Sequence, residues 1–216
     1  MAGNAFLRTF GKRWMKPLTL VALLTPFVFL AWQWTQMLTG INPRAMGTDP
    51  VTYTHHFLGD TAIRILLVTL AISPVRDITG WAPIVLIRRR VGLAAFFYSA
   101  LHMLAYLWLD RNWDLALLWE DMVIRIYITL GMGALLLMIP LAITSTNGMI
   151  RRLGRKAWDR LHWLIYPLAI LAVAHNLLMV KVIYGDPLTH AIILTVLLGW
   201  RVARWVLGKL KTPATA

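Results

Sequence analysis

Six histidines carry most of the chemistry open to this chain, because it has no cysteine. Without thiolates there is no disulfide, no iron–sulfur cluster and no CxxCH attachment motif, so any metal or haem must rely chiefly on imidazole. His102, His162 and His175 fall within or at the ends of long apolar runs, while His55, His56 and His190 sit near the ends of two others. An ionisable side chain inside such a run is rare and usually marks a site. A single histidine is equally well read as a neutral imidazole bonded to a nearby carbonyl, but three in two runs favour a site. Neutral imidazoles suit both axial positions of haem iron, and a filled coordination shell favours electron transfer over oxygen chemistry.

The elements that must position these residues are hydrophobic. Of 216 residues, 59% are apolar and 14% charged, with 11 Trp. Apolar runs occur at about Leu18–Leu38, Thr61–Ile78, Val91–Leu109, Val123–Thr144, Leu161–Ile183 and Thr189–Leu207. Each is close to the ~20 residues that cross a bilayer. The intervening breaks carry turn punctuation, including the short Tyr184-Gly185-Asp186-Pro187 sequence. The expected fold is therefore an all-α integral membrane protein, a six-helix transmembrane bundle. It forms one domain over 1–216, with cytoplasmic tails at 1–17 and 208–216. The first run resembles a signal peptide but is too long and has no small-residue cleavage site, which makes it a retained anchor.

A formal charge of +13 would suit a nucleic-acid binder in a polar chain, but here it reports topology. Seventeen of the 22 Lys and Arg residues fall on one side of the six runs, and seven of the nine acids on the other. The positive-inside rule then places both termini in the cytoplasm. Runs three and five both travel outward, so His102 and His175 meet at similar depth toward the outer face, with His162 at the cytoplasmic end. His162 precedes His175 by 13 residues, about 20 Å along a helix, which suits two cofactor levels. The same 13 steps leave the two side chains roughly 140° apart on an ideal helix. Pro167 lies between them and is a possible kink.

The ordered series Thr48-Asp49-Pro50-Val51, His56-Phe57-Leu58-Gly59, Leu101-His102, Thr144-Ser145-Thr146, Leu153-Gly154, Trp158, Leu161-His162, Tyr166, His175 and Val180-Lys181 resembles the MsrQ (YedZ) family. Those proteins are haem-binding membrane subunits of the periplasmic protein-methionine-sulfoxide reductase system, in the ferric-reductase-like transmembrane superfamily. The resemblance implies a bacterial inner-membrane electron carrier with haem b, one or two copies, and FMN. It also implies a periplasmic molybdopterin partner, MsrP, that holds the catalytic site for methionine sulfoxide. Electrons would come from the quinone pool or a cytoplasmic flavin reductase. The family's essential histidines fall on His102, His162 and His175. Relatives with two full haem pairs carry a further histidine about one level before the first, where this chain has Arg88-Arg89-Arg90. The inner cofactor is then a haem with His162 and a non-His partner, or a flavin.

Arg88, Arg89 and Arg90 also read as the positive-inside signal at a helix end. Their functional reading, shared with His56 and Arg64, is contact with a haem propionate or an FMN phosphate, which guanidinium groups bind well. Arg125, near an outer end, is a further candidate to snorkel or meet a propionate. His55 and His190 read as solvated. The acids Asp110, Asp114, Glu120 and Asp121 read as a solvated outer loop. No phosphate-binding glycine motif occurs, so the chain should not bind NAD(P)H by itself. Two alternatives stay open: a stand-alone cytochrome b reducing ferric ion or quinone, and a non-redox small transporter with protonatable histidines. The near absence of carboxylates within the runs argues against the transporter.

Overall fold

The computed structural model describes residues 2–179 and 186–211, and all of its regular structure there is helical. The helices are α1 (Ala2–Leu38), α2 (Pro50–Thr79), α3 (Arg88–Ala105), α4 (Leu115–Ile124), α5 (Ile126–Ile143), α6 (Asn147–Leu153), α7 (Arg155–Leu161), α8 (Ile165–Met179) and α9 (Asp186–Lys211). Among the described residues, six helical stretches are long and apolar enough to cross a membrane: Arg13–Leu38, Pro50–Thr79, Ala82–Asp110, Ile126–Ile143, Arg155–Met179 and Asp186–Leu210. Large apolar side chains such as Val21, Val28, Val196 and Val202 are exposed on the outside of α1 and α9. A surface of that kind is compatible with lipid and with little else.

Boundaries differ from the sequence reading in ways that have local causes. The expected N-terminal tail is helical from Ala2, continuous with the first span. The second span starts eleven residues earlier than the run at Thr61, because Asp49 caps it by accepting from the Thr52 amide at 3.0 Å and Pro50 occupies the first turn. It ends at Gly80, whose φ of 68° closes the helix in a left-handed turn. The fourth run is broken at Arg125, where extended backbone separates α4 from α5. The fifth is broken by a 3-10 turn at His162–Leu164. Val180-Lys181, the end of the fifth run at Ile183, the first half of the Tyr184–Pro187 turn and the tail 212–216 lie outside the described residues.

Antiparallel neighbours follow from side-chain contacts. His55 of α2 faces His102 of α3, and Thr69 of α2 lies against Gly92 of α3. Gly131 and Gly133 of α5 approach His175 and Leu171 of α8. The central core joins Ile63, Leu66, Leu67 and Leu70 of α2 to Ala95, Met138, Leu168, Val173 and Leu194. α9 is tied to α2 at both ends, by Arg64–Asp186 at 2.6 Å and by Arg204 on Asp77. One end of the bundle therefore carries Asp49, Asp110, Asp121 and Asp186, and the other Arg76, Arg88 and Arg204. These are called the acidic and basic ends below.

α1 joins this bundle through an interruption of its own ladder. The Tyr98 hydroxyl, with its residue only 1% exposed, donates to the Leu23 carbonyl at 2.7 Å and accepts from the Phe27 amide at 3.0 Å. It therefore sits between the two partners of the 27-to-23 helical bond, in the turn that contains Pro26. A side chain inserted into the helical ladder beside a proline is a recognised cause of bending.

Candidate functional site

Two cavities lie on either side of a wall to which Leu66 and Met138 contribute from both faces. The acidic-end cavity measures about 540 Å³ and the basic-end cavity about 440 Å³. Both fall within the range of small-molecule and cofactor sites. His102 and His175 line the first, and His162 lines the second.

The acidic-end cavity is built around the His102–His175 pair. Their ring centroids stand 6.2 Å apart with planes at 71°. His175 Nδ1 donates to the Tyr127 carbonyl at 2.7 Å. That bond assigns the proton to Nδ1 and leaves Nε2 as a lone-pair donor, the arrangement second-shell carbonyls impose on metal-binding histidines. His175 fits because residue 131 is glycine: a Cβ there would stand 2.9 Å from Nδ1 and 3.0 Å from Cε1. His102 packs against Gly59, and its buried Nδ1 has no hydrogen-bond partner. Among the described residues, no cluster of three or more His, Asp or Glu side chains forms a self-contained metal site. Two opposed imidazoles with apolar walls of Ile63, Leu66, Met132 and Met138 suit a metal whose other ligands come with a cofactor.

Two imidazoles holding one metal ion between them by bonds of about 2.0–2.1 Å would have their ring centres roughly 6 Å apart, and the 6.2 Å between His102 and His175 leaves room for such an ion.

A polar rim closes the acidic end of this cavity, and much of it was not legible in the sequence. Tyr106–Asp110 forms a π-helical turn after α3, a feature frequent at functional sites. It brings Tyr106 and Asp110 to the cavity with His55. His55, expected to be solvated, is instead paired through Nε2 with Asp110, and its ring stands edge-on to His102 at 5.8 Å. Asp121 is also buried. It accepts from the Tyr106 hydroxyl at 2.5 Å and pairs with Arg111 at 2.5 Å and Arg125 at 3.5 Å. Asp114 caps α4. Of the four acids expected as a solvated loop, Asp110, Asp114 and Glu120 are exposed, the first two with bonds inside the chain, and Asp121 alone is buried. His190, also expected in solvent, is 3% exposed and meets the side-chain oxygen Oδ1 of Asn176 at 3.1 Å, beside His175. His56 and Arg125 line the cavity.

The basic-end cavity has a different character. His162 Nδ1 bonds the Trp158 carbonyl at 3.0 Å, its ring stacks on the Trp158 indole at 3.7 Å, and its buried Nε2 has no partner. Trp158 is itself anchored by donating to the Thr144 carbonyl at 2.9 Å. Among the described residues no second histidine lines this cavity. Arg88, Arg89 and Arg201 do, and the one carboxylate among those lining residues, Asp159, is held by Arg155 at 2.9 Å. Arg90 lines neither cavity, nor does Arg64, which is ion-paired with Asp186. The 3-10 turn at His162–Leu164 advances 120° per residue rather than 100°, which reduces the ideal angular offset between His162 and His175 to about 80°. The two side chains open into separate cavities.

The family model of the ferric reductase like transmembrane component matches residues 58–173, a span that includes His102 and His162. A protein-methionine-sulfoxide reductase heme-binding subunit MsrQ from Xanthomonas campestris pv. campestris (strain 8004) is 49% identical over 182 residues, covering 84% of this chain and 82% of the relative. The subunit of that name from Xanthomonas euvesicatoria pv. vesicatoria (strain 85-10) is 46% identical, covering 93% and 94%. The one from Rhodospirillum rubrum is 46% identical, covering 84% of each chain. The chain therefore belongs to the MsrQ family, among the ferric-reductase-like transmembrane components.

Proposed function

We propose that this protein is the haem-binding membrane subunit of a protein-methionine-sulfoxide reductase system, a b-type cytochrome that carries electrons across the bacterial inner membrane. The observation that carries the reading is the His102–His175 pair, with ring centres 6.2 Å apart in one cavity and His175 bonded to the Tyr127 carbonyl. In this reading these two residues would hold the haem iron. A haem held by two imidazoles supplies reversible one-electron transfer at its iron. The chain contributes orientation through the Tyr127 carbonyl, clearance through Gly131, and a water-poor wall of Ile63, Leu66 and Met138. His56 and Arg125 line the same cavity, which supports a role for them at the propionates.

The basic end faces the cytoplasm, by the positive-inside rule. Electrons enter there from the quinone pool or a flavin reductase. His162 and the arginines Arg88 and Arg89 then hold an inner cofactor, a second haem or FMN, whose oxyanions suit the guanidinium groups. The unpartnered His162 Nε2 and the excess of positive charge in a cavity of about 440 Å³ fit either group. Electrons leave at the acidic end toward the periplasmic molybdopterin subunit MsrP, which reduces methionine sulfoxide. The whole chain, 1–216, acts as one electron-transfer unit with catalysis on the partner.

A reduced-minus-oxidised absorption spectrum of the purified protein tests the reading and should show low-spin b-type bands. His102→Ala and His175→Ala should each lose the outer haem, and His162→Ala should spare it. Full haem retention in both of the first two variants would overturn the ligand assignment, and a colourless wild-type protein would overturn the cytochrome reading. Mixing the reduced protein with the periplasmic reductase and following reoxidation tests the partner. Reoxidation only by ferric ion or quinone would favour a stand-alone cytochrome.

A further inference from the structure

Arg201 places a permanent positive charge inside a membrane-spanning helix, and among the described residues it has no carboxylate partner. It lies fifteen residues into the Asp186–Leu210 span. Its Nη1 donates to the Leu197 carbonyl one turn back at 2.9 Å, and its Nη2 crosses to the Leu70 carbonyl of α2 at 2.7 Å. Leu70 has a carbonyl to offer because Pro74, four residues on, has no N–H with which to close the helical bond. Arg201 thus staples α9 to α2 at a proline-made gap.

The staple does not by itself explain an arginine. Any neutral N–H donor of similar reach could bond Leu70, and a charge at this depth is costly unless it is used. Two carbonyl contacts leave donors on the guanidinium free. The side chain lies over the Tyr166 ring at 5.5 Å and lines the basic-end cavity together with Arg88 and the unpartnered His162. Among the described residues Arg88 makes no ion pair with a carboxylate either. The cavity therefore has uncompensated positive charge at the depth where α2 and α9 meet.

We propose that Arg201, with Arg88, forms an oxyanion-binding end of this cavity and anchors the phosphate or carboxylate of an anionic redox cofactor beside His162. The proposal rests on the electron-transfer reading above. Flavin phosphate and haem propionate share the recognising chemistry, and the two arms of the test separate them.

The full chain in detergent is titrated with FMN and with riboflavin by fluorescence quenching, and haem per chain is counted as the pyridine haemochrome. If a phosphate is the ligand, wild type binds FMN about tenfold or more tightly than riboflavin, and R201Q loses that preference. If a propionate is the ligand, wild type carries two haems and R201Q one. Glutamine keeps a donor for Leu70, so R201Q should retain the band that depends on His102 and His175. Should R201Q fail to fold, R88Q carries the test, because Arg88 is the other arginine of the proposed site. Loss of the FMN preference or of the second haem in R88Q supports the proposal, and wild-type behaviour of R88Q overturns it. Wild-type behaviour of R201Q in both arms also overturns it, as does a wild type with one haem and no preference for FMN. Absence of all haem overturns the cytochrome reading instead and leaves the flavin arm to judge Arg201.

Discussion

Gly131→Ala is a sharp test of how the acidic-end site is held. A Cβ on residue 131 would stand 2.9, 3.0 and 3.2 Å from Nδ1, Cε1 and Cγ of His175, well inside ordinary contact. The ring cannot retreat without leaving the Tyr127 carbonyl, 2.7 Å away. Alanine would otherwise favour the helix by about 0.8–1.0 kcal/mol. Against that stand about 1–3 kcal/mol of overpacking between α5 and α8 and about 1 kcal/mol for the lost hydrogen bond, a net destabilisation of about 1–3 kcal/mol. Loss of a group that orients a metal-binding histidine typically weakens metal affinity by about 10–100-fold. The assay is haem content per chain, from the reduced-minus-oxidised spectrum, together with the thermal midpoint in detergent. Gly133→Ala and Gly59→Ala are the controls, because their added Cβ atoms meet Leu171 at 3.6 Å and His102 at 3.4 Å, ordinary contacts. Wild-type haem retention and midpoint in Gly131→Ala would refute the claim that this glycine sets the His175 position.

Other outcomes follow from the same contacts. Tyr98→Phe strips the hydroxyl from between Leu23 and Phe27, and should destabilise the protein by about 1–3 kcal/mol in chemical unfolding; a change below about 0.5 kcal/mol would show that α1 closes its own ladder. Asp121→Ala removes the buried acceptor shared by Tyr106, Arg111 and Arg125, and should cost about 1.5–3 kcal/mol by the same measurement, with an unchanged midpoint counting against the network. Hydrogen bonding from Thr52 holds the exposed Asp49 carboxyl below its ordinary value. A lowered folded value means that this cap stabilises α2 above the ordinary carboxylate range and fades as pH falls through the lowered value. The thermal midpoints of wild type and Asp49→Ala should therefore differ at neutral pH and converge in acid, and a gap independent of pH would refute the cap's charge dependence.

The spans and the candidate histidines are legible in the residues alone. Apolar runs near bilayer length located the six membrane-length helices, since crossing lipid demands uninterrupted helix whatever the neighbours do. Histidines inside those runs singled out His102, His162 and His175 because charge and polarity are expensive there. Segregation of bases from acids separated the two ends of the bundle.

Side-chain direction was not legible, because it depends on local changes of helical pitch and on what packs alongside. A π-helical turn aims Tyr106 and Asp110 at the outer cavity, and a 3-10 turn rotates His162 relative to His175. Neither leaves a mark in hydrophobic periodicity. His55 and His190 sit near span ends, where the sequence reads as solvent. Asp110 and Asn176, distant in the chain, instead draw them inside. Nothing in the sequence sets Arg201 apart from the other basic residues, and its place in the core depends on the α2 carbonyl that Pro74 frees. Span, depth and charge asymmetry are properties of single segments against lipid, and the sequence alone determined them. Which imidazoles oppose one another, and which guanidinium reaches a cavity, are properties of pairs of helices, and only tertiary packing decided them.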